Sequence, residues 1–155
     1  MADTKTILAY KYIPGTGEGT GYQQVTLATL LTSVDAFYVK TDGGGGVGIN
    51  YSSAAPGVVT KNLVEGWNTI SCADETDAYT LLTPMRYVLT GQQQATGLTN
   101  LIGQGSCNQF TESISKTLVT DAEWTLLKLH KLELSPFDGY WVYMNAAKEF
   151  GVIPD

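Results

Sequence analysis

Val34-Asp35-Ala36-Phe37-Tyr38-Val39 and Phe137-Asp138-Gly139-Tyr140-Trp141-Val142 carry one pattern twice: an apolar residue, Asp, a small residue, two aromatics and Val. The copies lie 103 positions apart. The same offset pairs Leu31 with Leu134, Val47 with Phe150, Gly48 with Gly151 and Ile49 with Val152, so one gapless register covers about nineteen residues. Each copy reads as a loop aspartate, a small residue and a short aromatic strand, because aromatic and β-branched side chains suit a pleated, half-buried surface. A unit used twice points to a scaffold more than to an active site.

Outward from the copies, strands recur at short intervals. Residues 6 to 12 alternate loosely, and the glycines from Gly15 to Gly21 then break the strand. Residues 25 to 31 read as one or two helical turns, and 36 to 41, 47 to 51, 57 to 63 and 67 to 72 as further strands. A short helix is expected over 76 to 82, with Thr76 as its cap and Pro84 as its stop. Met85 to Leu89 reads as a strand and 92 to 97 as a polar loop, while 98 to 120 carries no clear pattern. Five leucines between Trp124 and Leu134 match neither a clean helical period nor simple alternation, which suits a strand bulged at His130-Lys131. Tyr140 to Met144 is the clearest strand. The expected fold is mainly β: an antiparallel sandwich or partly open barrel with two pseudo-repeated strand motifs and small helical insertions, forming one module over residues 1–155.

Composition narrows the function. A net charge of -6 and a scatter of nine Lys and Arg argue against nucleic acid, whose phosphates demand a basic face. Charged residues make up 15% of the chain, against about 25% in an average soluble domain. That balance suits secreted β proteins and subunits covered by neighbours, since each buried charge needs a partner. No apolar run reaches the roughly eighteen residues of a membrane span. Met1-Ala2-Asp3-Thr4-Lys5 is not followed by the apolar core of a signal peptide, which leaves a mature form without its leader or a cytosolic protein. Asn50-Tyr51-Ser52 is a candidate glycosylation site beside a glycine-rich turn.

Catalytic chemistry finds little purchase. Gly43-Gly44-Gly45-Gly46-Val47-Gly48 satisfies a phosphate-loop spacing, but no helix follows to present its amides, so it reads as a turn. His130 is the single histidine, set among leucines and lysines without a nucleophile-elbow sequence. Cys72, Cys107 and His130 lack the paired spacing that preorganises a zinc site. Asp74, Glu75 and Asp77 read as a helix N-terminus rather than a calcium loop. No catalytic residue, cofactor or metal is therefore expected. On the last strand Tyr140 shares a face with Val142, and Trp141 with Tyr143; one face is core and the other is free to stack on sugars or on a neighbouring subunit. Asp35 and Asp138 read as turn residues that bond their own backbone.

Between the copies lies Leu63-Val64-Glu65-Gly66-Trp67-Asn68-Thr69-Ile70-Ser71. Together with Ala9-Tyr10-Lys11-Tyr12, Pro14-Gly15-Thr16-Gly17 and Pro136-Phe137-Asp138-Gly139-Tyr140-Trp141-Val142, it resembles a β-rich module of archaeal cell-surface proteins, especially those of methanogens. The resemblance touches most of residues 7 to 72 and 124 to 153 and implies a secreted envelope, sheath, surface-layer or adhesion component. It assigns Asp35, Phe37, Tyr38, Gly66, Trp67, Asp138, Gly139, Tyr140 and Trp141 to the fold. The residues alone leave Cys72 and Cys107 as one disulfide or two buried thiols; the resemblance favours the disulfide, which would close a loop of roughly 36 residues and add about 3 to 4 kcal/mol. The expected function is structural, through association with copies of itself or with companion surface modules, with no nucleic acid and no membrane span. The alternative is a carbohydrate-binding or adhesive module using exposed aromatics.

Overall fold

The computed structural model describes residues 7–15, 17, 19–41, 59–72, 75–88, 95–104, 112–135 and 138–152. The expected strand at 47–51, Asn50 and Cys107 lie outside them. In chain order the elements are β1 (Ile7–Ile13), β2 (Gly21–Val25), β3 (Phe37–Thr41), β4 (Val59–Leu63), β5 (Gly66–Ser71), β6 (Thr76–Asp77) and α1 (Ala78–Leu82). A single 3-10 turn at Thr83–Met85 leads on to β7 (Arg86–Val88), β8 (Ala95–Gln104), β9 (Glu112–Thr117), α2 (Asp121–His130), β10 (Glu133–Leu134), β11 (Gly139–Met144) and β12 (Lys148–Val152).

The chain is mainly β, its strand pairs are antiparallel, and no barrel closes among the described residues. A small sheet runs β2-β1-β3, and a larger one runs β5-β11-β8, with β7 and β9 both pairing with β8. The pairs β4–β12 and β6–β10 complete it. Both motif copies form strands: β3 starts two residues after Asp35, and β11 starts directly after Asp138.

Alternation decides which side of β11 is core. Tyr140, Val142 and Met144 are buried, whereas Trp141 and Tyr143 on the opposite face are half-buried. The buried side joins Ile70, Leu98, Leu101, Phe150 and Leu63 in one continuous cluster that α2 closes with Trp124 and Leu127. The Leu63-to-Asn68 motif builds the corner between β4 and β5. Gly66 takes φ +100, which a side chain rarely adopts, and the buried Asn68 amide stitches the turn by accepting from Val64 N (3.0 Å) and donating to Val64 O (2.7 Å) and Gly66 O (3.0 Å).

Several local expectations are corrected. Residues 121–130 are helix, where leucine counting predicted a bulged strand. A capping box overrides that count: Thr120 Oγ1 accepts from Glu123 N, and the Glu123 carboxylate accepts from Thr120 N at 2.7 Å. Asp121 and Glu123 stand in the first turn and Lys128 and His130 in the last, both favourable to the helix dipole. Lys131 ends the helix in the left-handed region at φ 45. The α1 cap is Asp77, not Thr76; its carboxylate accepts from Thr80 N at 2.9 Å. Thr26 to Leu31 is turn and coil instead of helix, Ala95 to Gly97 belongs to a strand rather than a loop, and the uninterpreted segment contributes β8 and β9.

Candidate functional site

The two sheets meet through aromatic rings. In the small sheet Tyr12 lies opposite Tyr22 and Tyr10 opposite Tyr38, so Tyr12, Tyr22 and Tyr38 share one face of the pleat. In the larger sheet Tyr143 lies opposite Trp67 and Trp141 opposite Thr69. Trp141 is the hinge of the layer, 4.8 Å from Tyr12, 6.2 Å from Tyr38 and 6.3 Å from Trp67 between ring centroids. Most of these pairs are edge-to-face, the arrangement favoured by the ring quadrupole. Trp141 Nε1 also donates to the Tyr38 hydroxyl, which places equivalent positions of the two copies in direct contact. At its margins the layer opens to solvent, with Tyr22 61% and Trp67 39% exposed.

A cleft of about 80 Å³ separates the copies, lined by Ala36 to Tyr38 of the first, Gly139 to Trp141 of the second, and Thr69. A Cβ added to Gly139 would stand 3.2 Å from the Ala36 Cβ, so the small residue of each motif sets how closely the copies approach. Thr69 is 2% exposed, and its buried hydroxyl has no hydrogen-bond partner among the described residues. Burial pushes the Tyr38 phenol up to about 12, against the opposing pull of the Trp141 bond.

Beside the cleft, two lysines converge on Asp35. Lys11 Nζ lies 2.6 Å and Lys61 Nζ 3.3 Å from Asp35 Oδ1, and the Asp35 side chain is only 6% exposed. Asp35 Oδ2 accepts from the amide and hydroxyl of Thr32, both at 3.0 Å, and Lys61 also donates to Thr69 O at 2.7 Å. Burial pushes the Asp35 carboxyl up, but the Lys11 bond, the Thr32 amide and the charges of Lys61 and Lys11 outweigh it and hold the group below its ordinary value. Burial lowers the Lys61 ammonium despite the pull of Asp35. Asp35 thus ties β1, β4 and its own turn together.

The remaining sequence candidates fall elsewhere. Asp138 is exposed; its amide donates to Ser135 O at 3.4 Å, and its carbonyl accepts from Ser71 Oγ at 3.1 Å. The Tyr140 hydroxyl accepts from Ser135 N at 2.8 Å. Cys72 is buried, with its thiol 3.2 Å from Ser135 O. His130 is exposed at the end of α2. Among the described residues no three His, Cys, Asp or Glu side chains gather where a metal ion could be held. Sequence reasoning missed Lys11, Lys61, Thr69, Tyr12 and Tyr22, whose roles arise from partners brought together by strand pairing. No protein-family model, curated protein or solved structure matches the chain.

Proposed function

We propose that the chain is a non-enzymatic structural module of a cell envelope, of the surface-layer, sheath or adhesin kind, that works outside the cell by associating with copies of itself or with companion modules. The resemblance of its motifs to those of archaeal surface proteins supports that setting. The observation that carries the reading is the outer strand β2. Among the described residues it pairs only with β1 in the small sheet, and Tyr22, Gln23 and Gln24 are exposed and neutral. Lysine or proline on an edge is a common block to further pairing, and β2 contains neither. Two such strands related by a two-fold axis would set no like charges opposite one another. Immediately downstream, Leu27 and Leu30 are 110% and 92% exposed, an apolar margin beside the open edge.

Concentration-dependent light scattering tests this. The intact chain is expected to form dimers or larger species whose contacts bury more than about 1,000 Å². Gln23→Lys combined with Leu27→Ser is expected to shift it to monomer with an unchanged circular dichroism spectrum. A chain that stays monomeric at millimolar concentration overturns the proposal.

A further inference from the structure

We infer that the outer face of α2 is a second self-association surface, on which the α2 of another copy packs antiparallel about a two-fold axis. This deepens the reading that copies of the chain associate, and it rests on that reading for its setting. The inference starts from the geometry of the helix. At about 100° per residue, Ala122, Leu126 and Leu129 fall in one narrow stripe nearly opposite the buried Trp124 and Leu127. All three are exposed, Leu126 and Leu129 by 51% and 68%. The helix thus spends one apolar stripe on its own core and presents another to solvent.

Charge decides what covers the outer stripe. Asp121 and Glu123 stand in the first turn, and Lys128 and His130 in the last. On the helix surface Asp121 and Lys128 flank the stripe on one side, Glu123 and His130 on the other. A two-fold axis perpendicular to both helices lays each flank against the same flank of the second copy in reverse. Asp121 then meets Lys128 of the second copy and Glu123 meets His130, each twice, and the helix dipoles oppose. A parallel pair would set acid against acid at one end and base against base at the other. Arg86 already bonds Asp121 and Lys128 lies 5.4 Å over the Tyr79 ring, but the Asp121 side chain is still 59% exposed. The register that aligns these charges also sets the small Ala122 opposite Leu129 of the second copy and Thr125 beside Leu126, so large side chains meet small ones.

Size limits the strength of this contact. The ten residues of α2 span about 15 Å, and one crossing of two such helices falls short of the roughly 1,000 Å² of a stable dimer. It therefore joins copies already paired along β2, where each pair carries two α2 faces. Two different two-fold contacts on one chain continue from copy to copy, extending pairs into rows or closing them into a larger ring.

Light scattering up to millimolar concentration compares the full chain with a Leu126→Gln, Leu129→Gln variant. The parent is expected to grow beyond dimers, and the variant to stop at dimers with an unchanged circular dichroism spectrum. A parent that stops at dimers overturns the inference and leaves association through β2 standing. So does a variant that grows as the parent does, and if that variant alone fails to bind phosphatidylcholine vesicles, the face belongs to a lipid surface. A parent that stays monomeric overturns association through β2, and cross-linking then decides α2 by itself. For that measurement a chain carrying Ala122→Cys is mixed with one carrying Leu129→Cys, both in the Gln23→Lys, Leu27→Ser background, and oxidised. Peptide mass spectrometry should find links between positions 122 and 129 at least about fivefold above 122–122 and 129–129 links, since only the former pair comes within disulfide reach. Links without that excess overturn the inference.

Discussion

Asp35 bonds its own turn through Thr32, as an aspartate ahead of a strand is expected to, but its larger role is to accept two lysines that sequence gave no reason to place there. Asp35→Asn would leave Lys11 and Lys61 mutually repelling in a poorly hydrated site, and urea denaturation should show a loss of about 2 to 3 kcal/mol. The pH dependence follows from the depressed folded pKa of Asp35. Its contribution is complete above the unfolded value near ~4 and is lost as pH falls through the lower folded value. Stability of the parent chain should therefore drop in that acid window, and the Asp35→Asn chain should lack this component. Tyr38 acts in the opposite sense. With its folded pKa raised to about 12, its contribution is complete below its ordinary value near ~10 and is lost as pH rises through the folded value. Ultraviolet absorbance should show the tyrosinates of Tyr38 and of Tyr140, whose phenol burial also raises, appearing late, and stability between those two values should fall more in the parent than in Tyr38→Phe.

The elements were legible to different depths. Tyr140 to Met144 reads correctly because its alternation coincides with the alternation of core and aromatic layer. The segment from Trp124 to Leu134 misleads because its leucines serve both sides: Trp124 and Leu127 are buried three residues apart, while Leu126 and Leu129 are 51% and 68% exposed. The deciding signal was local and polar, Thr120-Asp121-Ala122-Glu123, rather than apolar. Thr120→Ala should cost about 1 kcal/mol in thermal or urea unfolding followed by helical ellipticity. A variant as stable as the parent would show that packing of Trp124, whose Nε1 donates to Leu118 O at 2.8 Å, holds α2 without its cap.

For the molecule as a whole, the proposed Cys72–Cys107 bond gives a direct measurement. Thiol titration of the unreduced, denatured chain should find no free thiol, and reduction should lower stability by about 3 to 4 kcal/mol for a loop of this length. Two titrating thiols would remove the disulfide from the account. By itself the sequence determined the β-rich class, the two aromatic strands and the tight corner at Gly66, because alternation, aromatic content and glycine's access to positive φ are properties of short stretches. Only the tertiary structure decided that the two motif copies touch, with Tyr38 against Trp141 and Ala36 against Gly139. It also decided that Asp35 collects Lys11 and Lys61, and that the buried Thr69 hydroxyl finds no partner among the described residues. Those facts depend on which strands lie side by side and in what register. That outcome follows from how the whole chain buries its apolar faces together, and no single segment encodes it.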